Sequence, residues 1–201
     1  MSAGKIITLE DGGELVWVEE WLSPEEANAT FQALMTEVPF EQKEIVIAGK
    51  RILQPRLVAW IGDENAVYTY SGVTNKPLPW TAMLLRLRKR VEETCAQPFN
   101  SVLANLYRNG VDSMGLHSDK EKELGKNPVI ASVSLGATRR FQLRYCGKNK
   151  PADNRDFELS NGSLLVMRGT TQHYYRHGIP KQPAIFAPRI NLTFRRILPG
   201  R

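Results

Sequence analysis

Two residues that commonly bind metals lie close together in the middle of the chain. His117 and Asp119 are separated by one residue, so in an extended segment the imidazole and the carboxylate point to the same side. Both are common iron ligands. The only other histidines are His173 and His177. Either one would complete the facial triad of two histidines and one carboxylate, which leaves coordination positions open on a non-haem Fe(II) ion.

A second group of polar residues lies near the C-terminus. In an extended strand the polar residues of this segment share one face, and the apolar residues between them share the other. The polar residues are Arg189, Asn191, Thr193 and Arg195. Two guanidinium groups beside an amide and a hydroxyl can bind a small dianion through charge-assisted hydrogen bonds. Any strand with one face toward water shows a similar alternation, so this segment alone leaves both interpretations open.

Asn105 and Tyr107 repeat the period-two pattern and place an amide and a phenol on one face of a predicted strand. With the donors of the C-terminal segment they would form a polar wall beside the candidate metal. Such a wall is what 2-oxoglutarate, with two carboxylates and a keto group, would require. Each motif is weak alone, but their occurrence in one strand-rich region favours a co-substrate pocket.

The residues just named lie in a region of short strands that begins after Pro98. Short apolar runs punctuated by glycine are typical of a sandwich, jelly roll or barrel. The clearest runs are residues 102–107, 129–135, 141–145, 157–159, 163–167 and 190–194.

The part of the chain before Pro98 has a different pattern. Ser23, Pro24 and Glu26 have the spacing of a capping box with proline at the first helical position, so a helix is predicted to begin there. A second helix is predicted for residues 80–95, and its basic residues fit a solvated face better than a targeting signal. Strand pairs are predicted for residues 6–18 and for residues 44–59, the latter around Gly49.

Three aromatic residues, Trp60, Tyr68 and Tyr70, are concentrated between these two regions. Tyr68 and Tyr70 are two residues apart, so they project to one side of a strand, as residues that stack on a base would. Packing within a sheet explains the same pattern equally well.

The composition is that of an ordinary soluble globular protein. The 201 residues suffice for one domain with a substantial core, and 42% hydrophobic with 24% charged residues excludes disordered and fibrous classes. With 27 Lys and Arg against 21 Asp and Glu, the formal charge is +6. An acidic partner such as nucleic acid is therefore plausible.

Neither the cysteines nor the N-terminus indicates an extracellular or membrane protein. Cys95 and Cys146 are too few and too isolated for a disulfide framework or a structural zinc site, so two reduced thiols are expected. Residues 1–14 lack the apolar region of a secretory signal, and no run has the length of a membrane span. We expect a cytoplasmic monomer without membrane contact, nucleoid-associated in a prokaryote or nuclear in a eukaryote.

Four motifs in this order resemble the signature of the AlkB family of Fe(II)/2-oxoglutarate-dependent nucleic-acid dealkylases. They are Asn105-Leu106-Tyr107, His117-Ser118-Asp119, His177-Gly178-Ile179 and Arg189-Ile190-Asn191-Leu192-Thr193-Phe194-Arg195. The resemblance extends over about residues 54–198 and is nearest to the branch that includes the duplex-DNA repair member. It implies a mainly β fold with flanking helices (α+β), in which a double-stranded β-helix (jelly-roll) core follows a nucleotide-recognition lid. Residues 1–97 would form the N-terminal extension and lid, and residues 98–201 the dioxygenase core, within one compact catalytic unit.

The same resemblance implies roles for individual residues. His117, Asp119 and His177 would be the catalytic iron ligands, and His177 is preferred to His173 because its spacing from Arg189 matches the family. Arg189 would bind the distal carboxylate of 2-oxoglutarate with help from Tyr107 and Asn191, while Asn105 and Arg195 would hold the keto-acid end. The substrate-binding residues would be Trp60, Tyr68, Tyr70 and Glu121, with Tyr70 stacked on a flipped base and Glu121 meeting an exocyclic amino group. The loop of residues 144–155 resembles the segment that grips the opposite DNA strand.

The implied activity is the oxidative dealkylation of N-alkylated bases such as 1-methyladenine and 3-methylcytosine in DNA, with repair of alkylation damage. Fe(II), 2-oxoglutarate and dioxygen would be required, and an aldehyde would be released. One departure from the duplex-acting relatives is aliphatic Val46, Ile47 and Ala48 in place of an aromatic finger, although an aliphatic wedge can still unstack bases. An RNA or protein oxygenase, and a non-catalytic nucleic-acid-binding module, are the alternative functions.

Overall fold

The computed structural model of the chain describes residues 4–47, 49–66, 68–70, 73–148 and 153–198, with the backbone alone described in residues 46–47, 68–70 and 73–75. The strands, in chain order, are β1 (Lys5–Thr8), β2 (Gly13–Val18), β3 (Glu44–Ile47), β4 (Lys50–Leu53), β5 (Leu57–Gly62), β6 (Tyr68–Tyr70), β7 (Val73–Asn75), β8 (Ser101–Tyr107), β9 (Met114–His117), β10 (Ile130–Gly136), β11 (Arg139–Tyr145), β12 (Arg155–Leu159), β13 (Ser163–Gly169), β14 (Tyr175–Ile179) and β15 (Arg189–Arg195). The helices are α1 (Pro24–Glu37), α2 (Ala82–Cys95) and the short α3 (Thr171–Tyr174).

Two antiparallel sheets form the body of the molecule. The larger has seven strands in the order β1-β2-β13-β10-β15-β8-β5, and the smaller has four in the order β12-β11-β14-β9. The pairs β3-β4 and β6-β7 form separate hairpins. Strands β8 and β10 follow each other in chain order within the large sheet, but β15 lies between them. Such crossovers give the connectivity of a jelly roll.

The large sheet is covered on both faces, which explains why its central strands are buried throughout. On one face, α1 and α2 pack their apolar sides against strands β10 and β15, in a core that includes Leu34, Leu87, Val133, Leu192 and Phe194. On the other face, side chains of both sheets form a second core. The order of layers is therefore helices, large sheet, small sheet.

The start of α1 follows from local chemistry. The backbone N–H of Glu26 donates to Ser23 Oγ at 3.2 Å, and the backbone N–H of Ser23 donates to Glu26 Oε2 at 3.1 Å. These reciprocal bonds form the predicted capping box, and Pro24 takes the first helical position. The predicted helix is confirmed.

The predicted mainly β fold with flanking helices is confirmed, and each of the six predicted strand runs corresponds to a strand. Sequence analysis missed β9 and β14 as strands. Both are short, and glycine interrupts each of them at Gly115 and Gly178. The predicted boundary between residues 97 and 98 remains a proposal, since β1, β2 and β5 share the large sheet with later strands.

Two smaller expectations concern cysteines and membranes. Cys95 and Cys146 are both free thiols. None of the described helices has both the length and the apolar character needed to span a bilayer.

Candidate active site

A group of three potential metal ligands lies between the two sheets. Strand β14 pairs with β9 so that His177 is directly opposite His117, and the ring centroids are 4.3 Å apart. Asp119 follows β9, with its Oδ1 3.6 Å from His117 Nε2. The candidate ligand atoms of His117, Asp119 and His177 all lie within 4.8 Å of one another. Two imidazoles and one carboxylate at this spacing match the donor set of a non-haem Fe(II) site.

Gly178 allows the two ligand-bearing strands to approach closely. A Cβ atom at this position would lie 2.8 Å from the carbonyl oxygen of Met114. The pairing of β14 and β9 shifts register between His177 and Ile179, as occurs at a bulge. The glycine therefore helps to set the separation of the two histidines.

The carboxylate of Asp119 is oriented by its surroundings. Arg195 donates to Asp119 Oδ2 from Nη2 at 2.9 Å and from Nε at 3.2 Å, and the backbone N–H of Asp119 donates to Gln172 Oε1 at 2.9 Å. Burial alone would raise the pKa of Asp119, but the charge of Arg195, with the proximity of His177 and His117, lowers that pKa to about 2. The carboxylate is consequently ionised, as a metal ligand must be.

The two histidines are held in forms that suit metal binding. His117 Nδ1 donates to the carbonyl oxygen of Gly115 at 3.0 Å, which leaves Nε2 as the acceptor that can bind a metal. The ring of His177 is stacked on Phe141, with the centroids 5.6 Å apart. Burial, followed by the proximity of His117, lowers the pKa of His177 to about 3, so this imidazole is neutral.

His173 lies apart from this group. It is exposed in α3, and its Nε2 donates to the carbonyl of Lys126 and lies 3.0 Å from Asn127 Oδ1. The structure thus brings together His117, Asp119 and His177, the set preferred from the sequence.

A cavity of about 40 Å³ lies beside the three ligands and is lined by the polar face of β15. In the register of β8 and β15, Arg189 is opposite Tyr107 and Asn191 is opposite Asn105. The predicted residues Asn105, Tyr107, Arg189, Asn191 and Arg195 all line this cavity. The polar face of β15 is therefore buried between the sheets and does not face water.

Neighbouring side chains position the donors of this cavity. Arg189 Nη2 donates to Ser134 Oγ at 2.8 Å, and Asn191 Nδ2 donates to Ser132 Oγ at 2.7 Å. The guanidinium of Arg189 lies over the ring of Tyr107, 5.3 Å from its centroid. These contacts restrict the rotamers of the cavity wall.

Arg189 has the environment of an anion-binding residue. It is 1% exposed, and its Nε and Nη1 have no hydrogen-bond partner among the described residues. Burial lowers the pKa of Arg189 to about 10, which still leaves the guanidinium charged at neutral pH. A buried cation with two unpartnered donors fits a carboxylate ligand.

Arg139 lies beside Tyr107, one of the residues that line this cavity. It is 1% exposed and donates to the backbone carbonyls of Asn109, Asp112 and Pro180 at 2.8–3.1 Å. Its guanidinium also lies 5.5 Å from the ring centroid of Tyr107. Arg139 therefore ties the segment after β8 to the segment after β14. Sequence analysis missed this residue, because an Arg-Arg pair beside a turn has the pattern of an exposed surface.

A larger cavity of about 220 Å³ opens on the other side of the ligands. Trp60, which is 8% exposed, and Glu121 both line it, as predicted for substrate-binding residues. Glu121 Oε2 is buried and has no hydrogen-bond partner in the part of the chain that the structure describes. His117 and Arg195 line both cavities, so the candidate metal site lies at their junction.

Two residues of the larger cavity, Gln54 and Arg56, were not predicted as site residues. Both are 8% exposed. Arg56 Nε donates to Asn105 Oδ1 at 2.7 Å, so it connects the two cavities. The two residues flank Pro55 between β4 and β5. With Val58 and the predicted Trp60 they line the cavity at alternate positions, so period-two spacing back from Trp60 is a signal that could have found them.

Several predicted substrate contacts lie outside the described residues. These include Ala48 and the side chains of Val46, Ile47, Tyr68 and Tyr70. At the ends of β11 and β12 that border the connecting loop, Arg144 Nη1 donates to Asp156 Oδ1 at 2.5 Å and Arg155 Nε donates to Asp153 Oδ1 at 2.7 Å. The predicted grip of this loop on a DNA strand remains a proposal.

Comparison with known proteins assigns the family. Residues 14–195 match the 2OG-Fe(II) oxygenase superfamily. Alpha-ketoglutarate-dependent dioxygenase alkB homolog 3 of Bos taurus is 44% identical over 183 residues, which cover 87% of this chain and 63% of the relative. DNA oxidative demethylase ALKBH2 of Mus musculus is 41% identical over 184 residues, covering 88% of this chain and 77% of the relative.

The fold also resembles that of a solved structure. The structure of OsALKBH1 superposes with a TM-score of 0.63 at 17% identity, covering 94% of this chain and all of that one. At this identity the likeness supports the fold alone. The chain spans 61–63% of the length of the homolog 3 relatives it matches. The site geometry, the superfamily match and these relatives agree: the chain belongs to the AlkB family of 2OG-Fe(II) oxygenases.

Proposed function

We propose that this protein removes alkyl groups oxidatively from N-alkylated bases in DNA, such as 1-methyladenine and 3-methylcytosine. The observation that carries the proposal is the position of the three ligands between a small cationic cavity and a larger cavity that has Trp60 in its wall. The first suits a dicarboxylate co-substrate, and the second suits a base.

His117, Asp119 and His177 would hold Fe(II), and the donor set fits that ion. When bound, iron with 2-oxoglutarate and dioxygen supplies the oxidation that converts the N-alkyl carbon to a hydroxyalkyl group, with succinate and carbon dioxide as co-products. The hydroxyalkyl group then leaves as an aldehyde and restores the base. Arg195 contributes by keeping the Asp119 carboxylate ionised and oriented.

The small cavity would bind 2-oxoglutarate at its two ends. Arg189, with two unpartnered donors, would bind the distal carboxylate with Tyr107 and Asn191. Asn105 would hold the keto-acid end, since its Oδ1 accepts from Arg56 and its Nδ2 can donate to the ligand. Arg195 lies at the same end, where it also orients Asp119.

The large cavity would receive a base flipped out of the helix, because chemistry on a paired base requires its extraction. Trp60, Tyr68 and Tyr70 would contact the base, and Glu121 would meet an exocyclic amino group. An alkylated base pairs poorly and costs less to flip, which contributes selectivity.

The printed names of the relatives support DNA as the substrate, since ALKBH2 is named a DNA oxidative demethylase. An RNA or protein oxygenase remains the alternative within the family. The complete ligand set argues against a catalytically silent binding module. We propose further that the protein acts as a monomer in the compartment that holds the DNA.

The test is an anaerobic titration with Fe(II) and 2-oxoglutarate, followed by oxygen, using methylated DNA, methylated RNA and a peptide. We expect formaldehyde and substrate-coupled succinate with methylated DNA. His177→Ala should abolish iron binding and turnover, whereas His173→Ala, the matched control, should retain both. Absence of formaldehyde from every nucleic acid would refute dealkylation, and turnover by His177→Ala would refute the ligand assignment.

A further inference from the structure

The side chain of Gln54 lies in the large cavity on a firmly held backbone. The Gln54 N–H donates to the carbonyl of Lys43 at 2.9 Å, and its own carbonyl accepts from Gln42 Nε2 at 2.9 Å. The residue is 8% exposed and lines the cavity. Both backbone groups are thus engaged, which fixes the point at which the side chain enters the cavity.

The oxygen of this carboxamide has no partner. Gln54 Oε1 is buried and accepts no hydrogen bond from the described residues. A buried acceptor without a donor is unfavourable, so its persistence points to a ligand that supplies the donor.

A second unpartnered acceptor lies in the same cavity. Glu121 Oε2 is also buried and has no hydrogen-bond partner among the described residues. The apolar lining residues Val58, Leu103 and Met114 have no N–H or O–H to donate. Two cationic residues of the same lining already donate elsewhere, Arg56 to Asn105 and Arg195 to Asp119. The cavity therefore presents two acceptors, from different segments of the chain, to whatever enters it.

We propose that Gln54 is a specificity-determining residue that accepts a hydrogen bond from the exocyclic amino group of the bound base, while Glu121 accepts the other N–H. This inference rests on the proposed function. Adenine and cytosine carry an amino group with two N–H donors beside the alkylated ring nitrogen. Uracil, thymine and guanine carry a carbonyl oxygen at the equivalent position, which would leave Glu121 Oε2 without a donor and would require the Gln54 carboxamide to turn over and donate from Nε2. A site built to pair with an N–H group discriminates strongly against an analogue that lacks it.

The test compares two oligonucleotides that differ at one exocyclic group, one with 3-methylcytosine and one with 3-methyluracil. Binding is measured without oxygen in the Mn(II) and 2-oxoglutarate complex, and turnover is measured by formaldehyde release. We expect the wild type to prefer 3-methylcytosine in both measurements. Gln54→Met, which keeps the side-chain length without the acceptor, should reduce that preference about tenfold, the usual effect of one lost hydrogen bond to a buried group.

Gln54→Glu provides the opposite test. It keeps an acceptor and adds negative charge, and 3-methylcytosine is cationic whereas 3-methyluracil is neutral. The preference for 3-methylcytosine should therefore be kept or increased. If the preference for 3-methylcytosine fell in both Gln54→Met and Gln54→Glu, altered packing alone would explain the result and the assignment would be overturned.

Controls separate recognition from damage to the fold. Gln32→Met, at an exposed glutamine of α1, should behave as the wild type. The affinity for 2-oxoglutarate should be unchanged in the Gln54 variants, and the melting temperature of Gln54→Met should not fall, because that substitution removes an unpartnered buried acceptor. An unchanged preference in Gln54→Met, or a wild type that prefers 3-methyluracil, would overturn the inference. Selective binding of 3-methylcytosine through Gln54 without formaldehyde release would instead refute the dealkylase proposal and leave the role of Gln54 standing.

Discussion

The two cavities on either side of the candidate metal site are built in different ways. The smaller has its polar wall on strands β8, β10 and β15, where every second residue faces the interior. The larger draws its walls from separate segments, including residues 43, 54–60 and 114–121. The first is a rigid part of a sheet, whereas the second depends on loops and edges. This difference suits a constant co-substrate on one side and a variable substrate on the other.

Their unpartnered hydrogen-bonding groups differ as well. Among the described residues, the smaller cavity has unpartnered donors on Arg189, whereas the larger has unpartnered acceptors on Gln54 and Glu121. Cationic residues line both cavities, so the difference lies in these groups and not in the sign of the charge.

The largest predicted effect concerns the wall of the smaller cavity. In Arg189→Met the two charge-assisted hydrogen bonds to the distal carboxylate are lost, at about 1.5–3 kcal/mol each. We expect the affinity for 2-oxoglutarate to fall by about two to four orders of magnitude. This affinity can be measured by anaerobic titration calorimetry of the Mn(II)-loaded protein with 2-oxoglutarate. Arg140→Met, at an exposed arginine of the small sheet, is the matched control, and an affinity within threefold of wild type in Arg189→Met would contradict this role.

An intermediate effect is expected where the two cavities meet. Arg56 lines the larger cavity but donates to Asn105 of the smaller one at 2.7 Å. Arg56→Met should weaken 2-oxoglutarate binding about tenfold, since Asn105 loses the donor that orients its amide. A double-mutant cycle with Asn105→Ala should give a coupling of about 1–2 kcal/mol. If the effects of Arg56→Met and Asn105→Ala on the free energy of 2-oxoglutarate binding simply added, the two cavities would be energetically independent.

The smallest effect on activity is expected at Tyr175, whose hydroxyl lies away from both cavities. It donates to Asp153 Oδ2 at 2.7 Å and accepts from the backbone N–H of Glu10 at 2.9 Å. Tyr175→Phe should lower the free energy of unfolding by about 1–2 kcal/mol and leave the affinity for 2-oxoglutarate unchanged. Urea unfolding and calorimetry measure the two quantities. A large loss of 2-oxoglutarate affinity in Tyr175→Phe would show that this hydroxyl, on the four-stranded sheet, also affects the smaller cavity.

The same residue predicts a pH dependence. Burial, with the hydrogen bond to Asp153, raises the pKa of Tyr175 above its usual value of about 10. The folded chain therefore retains a proton that the unfolded chain releases, so stability should fall as the pH rises above about 10. In Tyr175→Phe this decline should be less steep between pH 9 and pH 11. Equal slopes in the two proteins would contradict the shift.

The sequence was most informative where one strand carries several site residues. The alternation in residues 189–195 placed the polar side chains on one face, and the structure confirms that this face lines a cavity. Period two is a local property of extended backbone, so it can be read without knowing the neighbours. The pair His117 and Asp119 was visible for the same reason.

Other parts of the site depend on contacts between distant segments. Arg139 is buried only because three backbone carbonyls from two loops converge on it. Gln54 and Arg56 enter the larger cavity because residues 54–56 link the β3-β4 hairpin to the edge strand β5 of the large sheet. Composition and periodicity do not encode the convergence on Arg139, so this residue was missed. Gln54 and Arg56 do stand at alternate positions from Trp60, a local signal that was not used.

The unpartnered nitrogens of Arg189 have a consequence for the abundance of the protein. A ligand that pairs with them binds the folded chain and not the unfolded one, so it raises the free energy of unfolding, by about 2.7 kcal/mol at one hundred times its dissociation constant. Unfolded chains are the ones that proteases remove. The lifetime of this protein in a cell should therefore rise and fall with the supply of its dicarboxylate co-substrate.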